Sequence, residues 1–135
     1  MINQPLRDRI ASVVCQSLSH RQDVLAGWEG GSAAFGALDD YSDIDLNILV
    51  HDEASTDLLH AVLEDALNSV SQITMSHPAP PGRYYQLKDG GEFLLVDVCF
   101  VRAGAIDTAL NAERHGQMIP LFDKGNWLHP RPVDE

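Results

Sequence analysis

Asp43 and Asp45, two carboxylates split by one isoleucine at the head of the run Ile44-Asp45-Leu46-Asn47-Ile48-Leu49-Val50, are the residues best placed to do chemistry. Alternate side chains of a strand share a face, so a strand starting here aims both carboxylates one way while Ile44, Leu46 and Ile48 supply apolar packing. Their Cα atoms would lie about 6 to 7 Å apart, and the two charges repel unless a proton or a divalent cation intervenes. Oxygen-only ligation suits Mg²⁺ or Mn²⁺ rather than zinc. A third carboxylate, Asp97, sits inside the apolar run Phe93-Leu94-Leu95-Val96-Asp97-Val98-Cys99-Phe100-Val101, where a charge is costly unless paired or metal-bound. An Asp-x-Asp alone is usually a solvated strand edge or turn. The setting distinguishes this one: Gly31-Ser32 lies upstream, with Asp43 eleven residues after the serine, and Asp97 downstream.

The elements that must carry these residues are readable from periodicity. Leu6, Ile10, Val13, Val14 and Leu18 recur at helical spacing after Pro5, which predicts an amphipathic first helix ending near 18–20. Val24 to Glu29 reads as a short apolar strand, and Gly30-Gly31 forces a turn whose backbone can approach a ligand closely. Ser32 then opens a short helix, its hydroxyl either capping that helix or bonding a phosphate held at the N-terminal N–H groups. Leu58, Leu59, Val62, Leu63, Ala66, Leu67 and Val70 form the stripe of a helix within Asp52 to Val70, crossing over a sheet. Ile73 to Ser76 reads as a short edge strand, and His77-Pro78-Ala79-Pro80-Pro81-Gly82 as a rigid loop. Arg83 to Leu87 and Glu92 to Arg102 flank Lys88-Asp89-Gly90-Gly91, a hairpin signal that sets Asp97 midway along its second strand. Ile106, Ala109 and Leu110 allow one more short helix.

The pattern Gly31-Ser32, Asp43-x-Asp45 and a distant Asp97 on an apolar strand resembles the DNA polymerase β superfamily of nucleotidyltransferases. Within it, Gly30-Gly31-Ser32-Ala33-Ala34-Phe35-Gly36 through Ser42-Asp43-Ile44-Asp45-Leu46 is similar to the branch of aminoglycoside-type and minimal nucleotidyltransferases, the likeness spanning residues 24–101. The resemblance implies an α/β (α+β) fold, a mixed twisted sheet of about four to five strands flanked by helices. It also implies that Asp43 and Asp45 bridge two Mg²⁺ ions, with Mn²⁺ as a substitute. Asp97 would hold the ion nearest the acceptor, and Gly31 and Ser32 would grip the β- and γ-phosphates. Lys88 and Arg102, flanking the hairpin, are the candidate cations for the triphosphate, although such side chains are commonly just solvated. Phe35 departs from the family pattern, standing where minimal relatives often have Arg.

Residues 1–115 are read as one catalytic domain. Residues 116–135, with Gly116, Pro120, Gly125, Pro130 and Pro132, are read as an irregular tail. Larger relatives carry a helical domain beyond this point, so the end at Glu135 fits either a minimal enzyme or a chain cut before that domain. The 135 residues, 44% hydrophobic and 21% charged, suit a single domain with a useful core. A net charge of −11 with nine Lys and Arg argues against passive DNA or RNA binding, yet is compatible with a metal-neutralised triphosphate and with cationic acceptors. No apolar run long enough to span a membrane and no signal-like start is present, so a cytoplasmic location is expected. Cys15 and Cys99 read as core thiols. The six histidines lack zinc spacing, and Tyr84, Tyr85 and Trp28 read as core or rim.

Three functions remain after this reading. The first is transfer of a nucleoside monophosphate, most simply AMP from ATP, to a hydroxyl of a small aminoglycoside-like acceptor. The second is a minimal nucleotidyltransferase antitoxin that binds or adenylylates a HEPN-type toxin, with a homodimer or toxin partner. The third is a non-catalytic nucleotide-binding module, disfavoured because a buried Asp97 would then be an uncompensated cost.

Overall fold

Apolar stripes at helical and strand spacing dictate most of the architecture, a computed structural model that describes residues 4–30, 43–90, 94–110 and 118–129. Helix α1 (Gln4–Ser19) buries Leu6, Ile10, Val14 and Leu18 on one face. Strand β1 (Val24–Glu29) leads to β2 (Ile44–Val50), whose side chains alternate between buried and half-buried at its start. Helix α2 (Thr56–Val70) begins at Ser55, whose hydroxyl accepts the Leu58 N–H at 3.4 Å, and buries Leu59, Leu63, Ala66 and Leu67. Strands β3 (Ile73–Ala79), β4 (Gly82–Leu87) and β5 (Leu95–Arg102) follow, then the single-turn helix α3 (Ile106–Ala109) and strand β6 (Ile119–Asp123).

The strands form one six-stranded sheet in the order β3-β4-β5-β2-β1-β6. β2 and β5 are parallel neighbours at its centre, and every other pairing is antiparallel. The fold class is therefore mixed α/β, as expected, with three helices among the described residues. Helices α1 and α2 cover one face, where Ile44, Leu46, Ile48 and Val50 of β2 meet Val96, Val98 and Phe100 of β5 in the main core. Among the described residues, the opposite face is only partly roofed, by a second cluster in which Ile106 and Leu110 pack on Ala26, Trp28 and Leu49. Among the described residues, no helix is long and apolar enough to cross a membrane.

Two expectations need correction. The sheet has six strands rather than four or five, because the segment read as an irregular tail supplies β6, paired antiparallel with β1. Pro120 concealed it; an outer strand tolerates proline because it needs no N–H on its open side. Likewise β3 runs through His77 and Pro78 to Ala79, where a loop was expected, because it is the other edge of the sheet. β4 begins at Gly82, where a Cβ would collide with the Val98 carbonyl oxygen, so only glycine permits this approach of β4 to β5.

Candidate active site

The central parallel pair decides where the acidic side chains meet. Asp45 of β2 is the register partner of Asp97 of β5, so the two occupy adjacent strands on the same face, with Cα atoms about 4.8 Å apart by sheet spacing. Tyr84 of β4 is the next residue in that row, opposite Asp97. Asp43 lies immediately before β2, two residues from Asp45. The row lies on the face that the long helices leave uncovered.

Electrostatics couples the three carboxyl groups. Burial pushes Asp45 above the usual carboxylate range, the Asp43 charge adds to this, and Arg7 opposes it. Asp97 is raised by burial first, then by the charges of Asp45 and Asp43. Among the described residues, neither the Asp45 nor the Asp97 carboxylate accepts a hydrogen bond. Crowded, half-buried and without donors, such groups gain most from a proton or a cation. Among the described residues no three His, Cys, Asp or Glu side chains are gathered tightly enough to cage an ion as they stand. The donor chemistry, carboxylate oxygen alone, nevertheless fits a hard divalent ion of the Mg²⁺ class.

A cation from α1 braces this end of the sheet. Arg7 is only 5% exposed; its Nη2 donates to the Asp43 carbonyl at 3.0 Å and lies 3.7 Å from Glu29 Oε1. The Gly30 N–H donates to the Asp45 carbonyl at 2.9 Å, tying the end of β1 to the start of β2. Glu29 is raised by burial and held back chiefly by Arg7, while the Asp45 charge raises it further. Arg7 and Glu29 were missed in the sequence. A signal existed: Arg7, Ile10 and Val14 share one helical stripe, and an arginine on an apolar stripe asks for a buried acceptor.

Of the remaining sequence candidates, Arg102 and Lys88 stand apart from the acidic row, although Arg102 lines the cavity beside it. Arg102 stands at the far end of β5, about 16 Å along the strand from Asp97. Its Nη1 donates to the carbonyls of Asp52 and Ala54 at 2.6 and 3.2 Å, which holds the β2 to α2 connection. Lys88 is exposed in the turn after β4, its backbone N–H bonded to the Gln72 carbonyl at 2.9 Å. Gly31, Ser32, the helix expected after them and Phe35 lie outside the described residues. Both thiols are unreactive in character: burial pushes Cys15 and Cys99 up to about 11, with Asp97 adding to the shift at Cys99.

Beside the acidic row lies a cavity of about 770 Å³, a size that suits a small organic ligand. Gly30, Asp45 and Asp97 line it together with Asn47 and Cys99, and Ala109, Leu110 and Met118 also contribute. No protein-family model matches this sequence, and no curated protein matches it.

Proposed function

We propose that the protein is a Mg²⁺-dependent nucleotidyltransferase that moves a nucleoside monophosphate, most simply AMP from ATP, onto a hydroxyl of a small-molecule acceptor. The observation that supports this reading most is the register pairing of Asp45 with Asp97 on an open face beside a ligand-sized cavity, with Asp43 two residues away. Asp43, Asp45 and Asp97 are the residues that would hold divalent ions. Bound there, such ions neutralise triphosphate charge and lower the pKa of the acceptor hydroxyl.

In this reading the acceptor oxygen forms a bond to the α-phosphorus as the bond to the β-phosphate oxygen breaks, and pyrophosphate leaves in line. Asp97, raised in the free protein by burial first and then by the charges of Asp45 and Asp43, would take the hydroxyl proton. Gly31 and Ser32 are the proposed grip on the β- and γ-phosphates, through backbone N–H groups and the hydroxyl. Arg7 keeps the Asp43 backbone in place from behind the sheet. The test is incubation with ATP labelled at the α-phosphate, Mg²⁺ and a panel of hydroxyl acceptors. Label should pass to an acceptor with release of pyrophosphate, and Asp97→Asn should abolish it. Equal transfer by wild type and Asp97→Asn would refute the proposal.

A further inference from the structure

The open face of the sheet is graded in polarity, and the grading selects an acceptor. The first row is Asp45 and Asp97. The second row, two residues further along each strand and about 6.6 Å away, is Trp28, Asn47 and Cys99, paired across β1, β2 and β5. The third is apolar, with Leu49 paired to Val101, and Ala109 of α3 and Leu110 just after it stand over this end with Met118. Among the described residues lining the cavity, only Asp45 and Asp97 are acidic. Arg102 is the one cation there, and it already donates to two backbone carbonyls.

We infer that the cavity takes the body of a neutral, ring-bearing alcohol, aromatic or alicyclic, as the acceptor of nucleotidyl transfer, rather than a polycationic amino sugar. This rests on the nucleotidyltransferase reading. An ammonium group over the second or third row would lose its water and find no free counter-charge among the described lining residues, because in this reading Asp45 and Asp97 would be taken up by divalent ions. A neutral ring seated on the half-buried Cys99 and Val101 meets no such cost, and its hydroxyl would reach back to Asp97. The Asn47 carboxamide supplies one neutral hydrogen-bonding point beneath it. The chain's acidity therefore does not by itself select a cationic substrate.

Calorimetric titration of the intact protein with 2-naphthol, and separately with spermine, tests the assignment. Saturable binding of 2-naphthol is expected, with spermine unable to displace it. Thr108→Trp, a change at the exposed rim of the cavity, should weaken that binding at least tenfold. Ala109→Phe, which intrudes from the roof, should independently do the same. No saturable naphthol binding, indifference to both variants, or displacement by spermine would each overturn the inference. Displacement by adenosine would give the cavity to the nucleobase and overturn it as well. A parallel Mn²⁺ titration separates the two failures. Naphthol binding without Mn²⁺ binding defeats the nucleotidyltransferase reading and leaves the cavity's preference standing, whereas Mn²⁺ binding without naphthol binding defeats the acceptor assignment alone.

Discussion

Asp123 at the end of β6 and the Asp45–Asp97 pair at the centre of the sheet are carboxylates in opposite circumstances. Asp123 accepts backbone N–H bonds from Gly125, Trp127 and Leu128 at 3.1, 3.0 and 2.9 Å. Its slight burial would raise its pKa, but the donors, with Leu128 and Trp127 foremost, outweigh this and hold it below the ordinary value. Asp45 and Asp97 accept no hydrogen bond among the described residues, and burial pushes both upward, the Asp43 charge adding at Asp45 and the Asp45 and Asp43 charges at Asp97. Asp123 is thus satisfied by its own chain and fixes a turn that ends the outer strand. The pair is left unsatisfied by the fold, and that unmet demand is what a cation or a reacting proton can answer.

The comparison can be broken at several points. The largest effect is expected at the pair: Asp97→Asn should reduce nucleotidyl transfer by about a thousandfold or more, measured as pyrophosphate release, because loss of a metal ligand removes transition-state charge stabilisation. Next is Arg7. Replacing it by Met strands the Glu29 carboxylate and frees the Asp43 carbonyl, so chemical denaturation should show a loss of about 2 kcal/mol, at the low side for a broken buried pair because Glu29 is partly exposed. Adding Glu29→Gln should recover part of it; an unchanged midpoint in Arg7→Met would mean that the brace contributes nothing.

The smallest effect belongs to Asp123→Ala, about 1 kcal/mol after discounting for exposure. Its pH signature is specific. A carboxyl with a depressed folded pKa contributes stability above its unfolded value and loses it as pH falls through the folded one, so the gap between wild type and Asp123→Ala should close below about pH 4. A gap that persisted into strong acid would show that the turn is held by something other than the ionised carboxylate.

Local pattern made much of this legible beforehand. Val24 to Glu29 emerged with the expected bounds, because a short apolar run before a Gly-Gly turn has few alternatives. The α2 stripe was equally plain, and the capping Ser55 trims its start from Asp52 to Thr56. What escaped depends on contacts between distant segments. The closeness of Asp43 and Asp45 is plain from their spacing, but the register that sets Asp45 beside Asp97 is chosen by two strands whose partner residues are 52 positions apart. β6 was hidden because its pattern becomes a strand only once β1 offers it an edge. Arg7 was passed over because its partners, Glu29 and the Asp43 carbonyl, belong to other elements. The tether of Arg102 was unreadable for the same reason: the carbonyls of Asp52 and Ala54 to which it donates are set by the fold and invisible in a sequence.

The most direct test of the claim that Asp45 belongs to an unsatisfied cation site is the melting temperature of wild type and Asp45→Asn, each in chelator and in millimolar Mg²⁺. A carboxyl whose folded pKa is raised contributes stability below its unfolded value and loses it as pH rises through the folded one. In chelator at pH 7, Asp45→Asn should therefore melt above wild type, with the difference vanishing near pH 4; Mg²⁺ should raise the wild type and leave Asp45→Asn where it was. A wild type indifferent to Mg²⁺, together with an Asp45→Asn variant no more stable than it in chelator, would contradict the account.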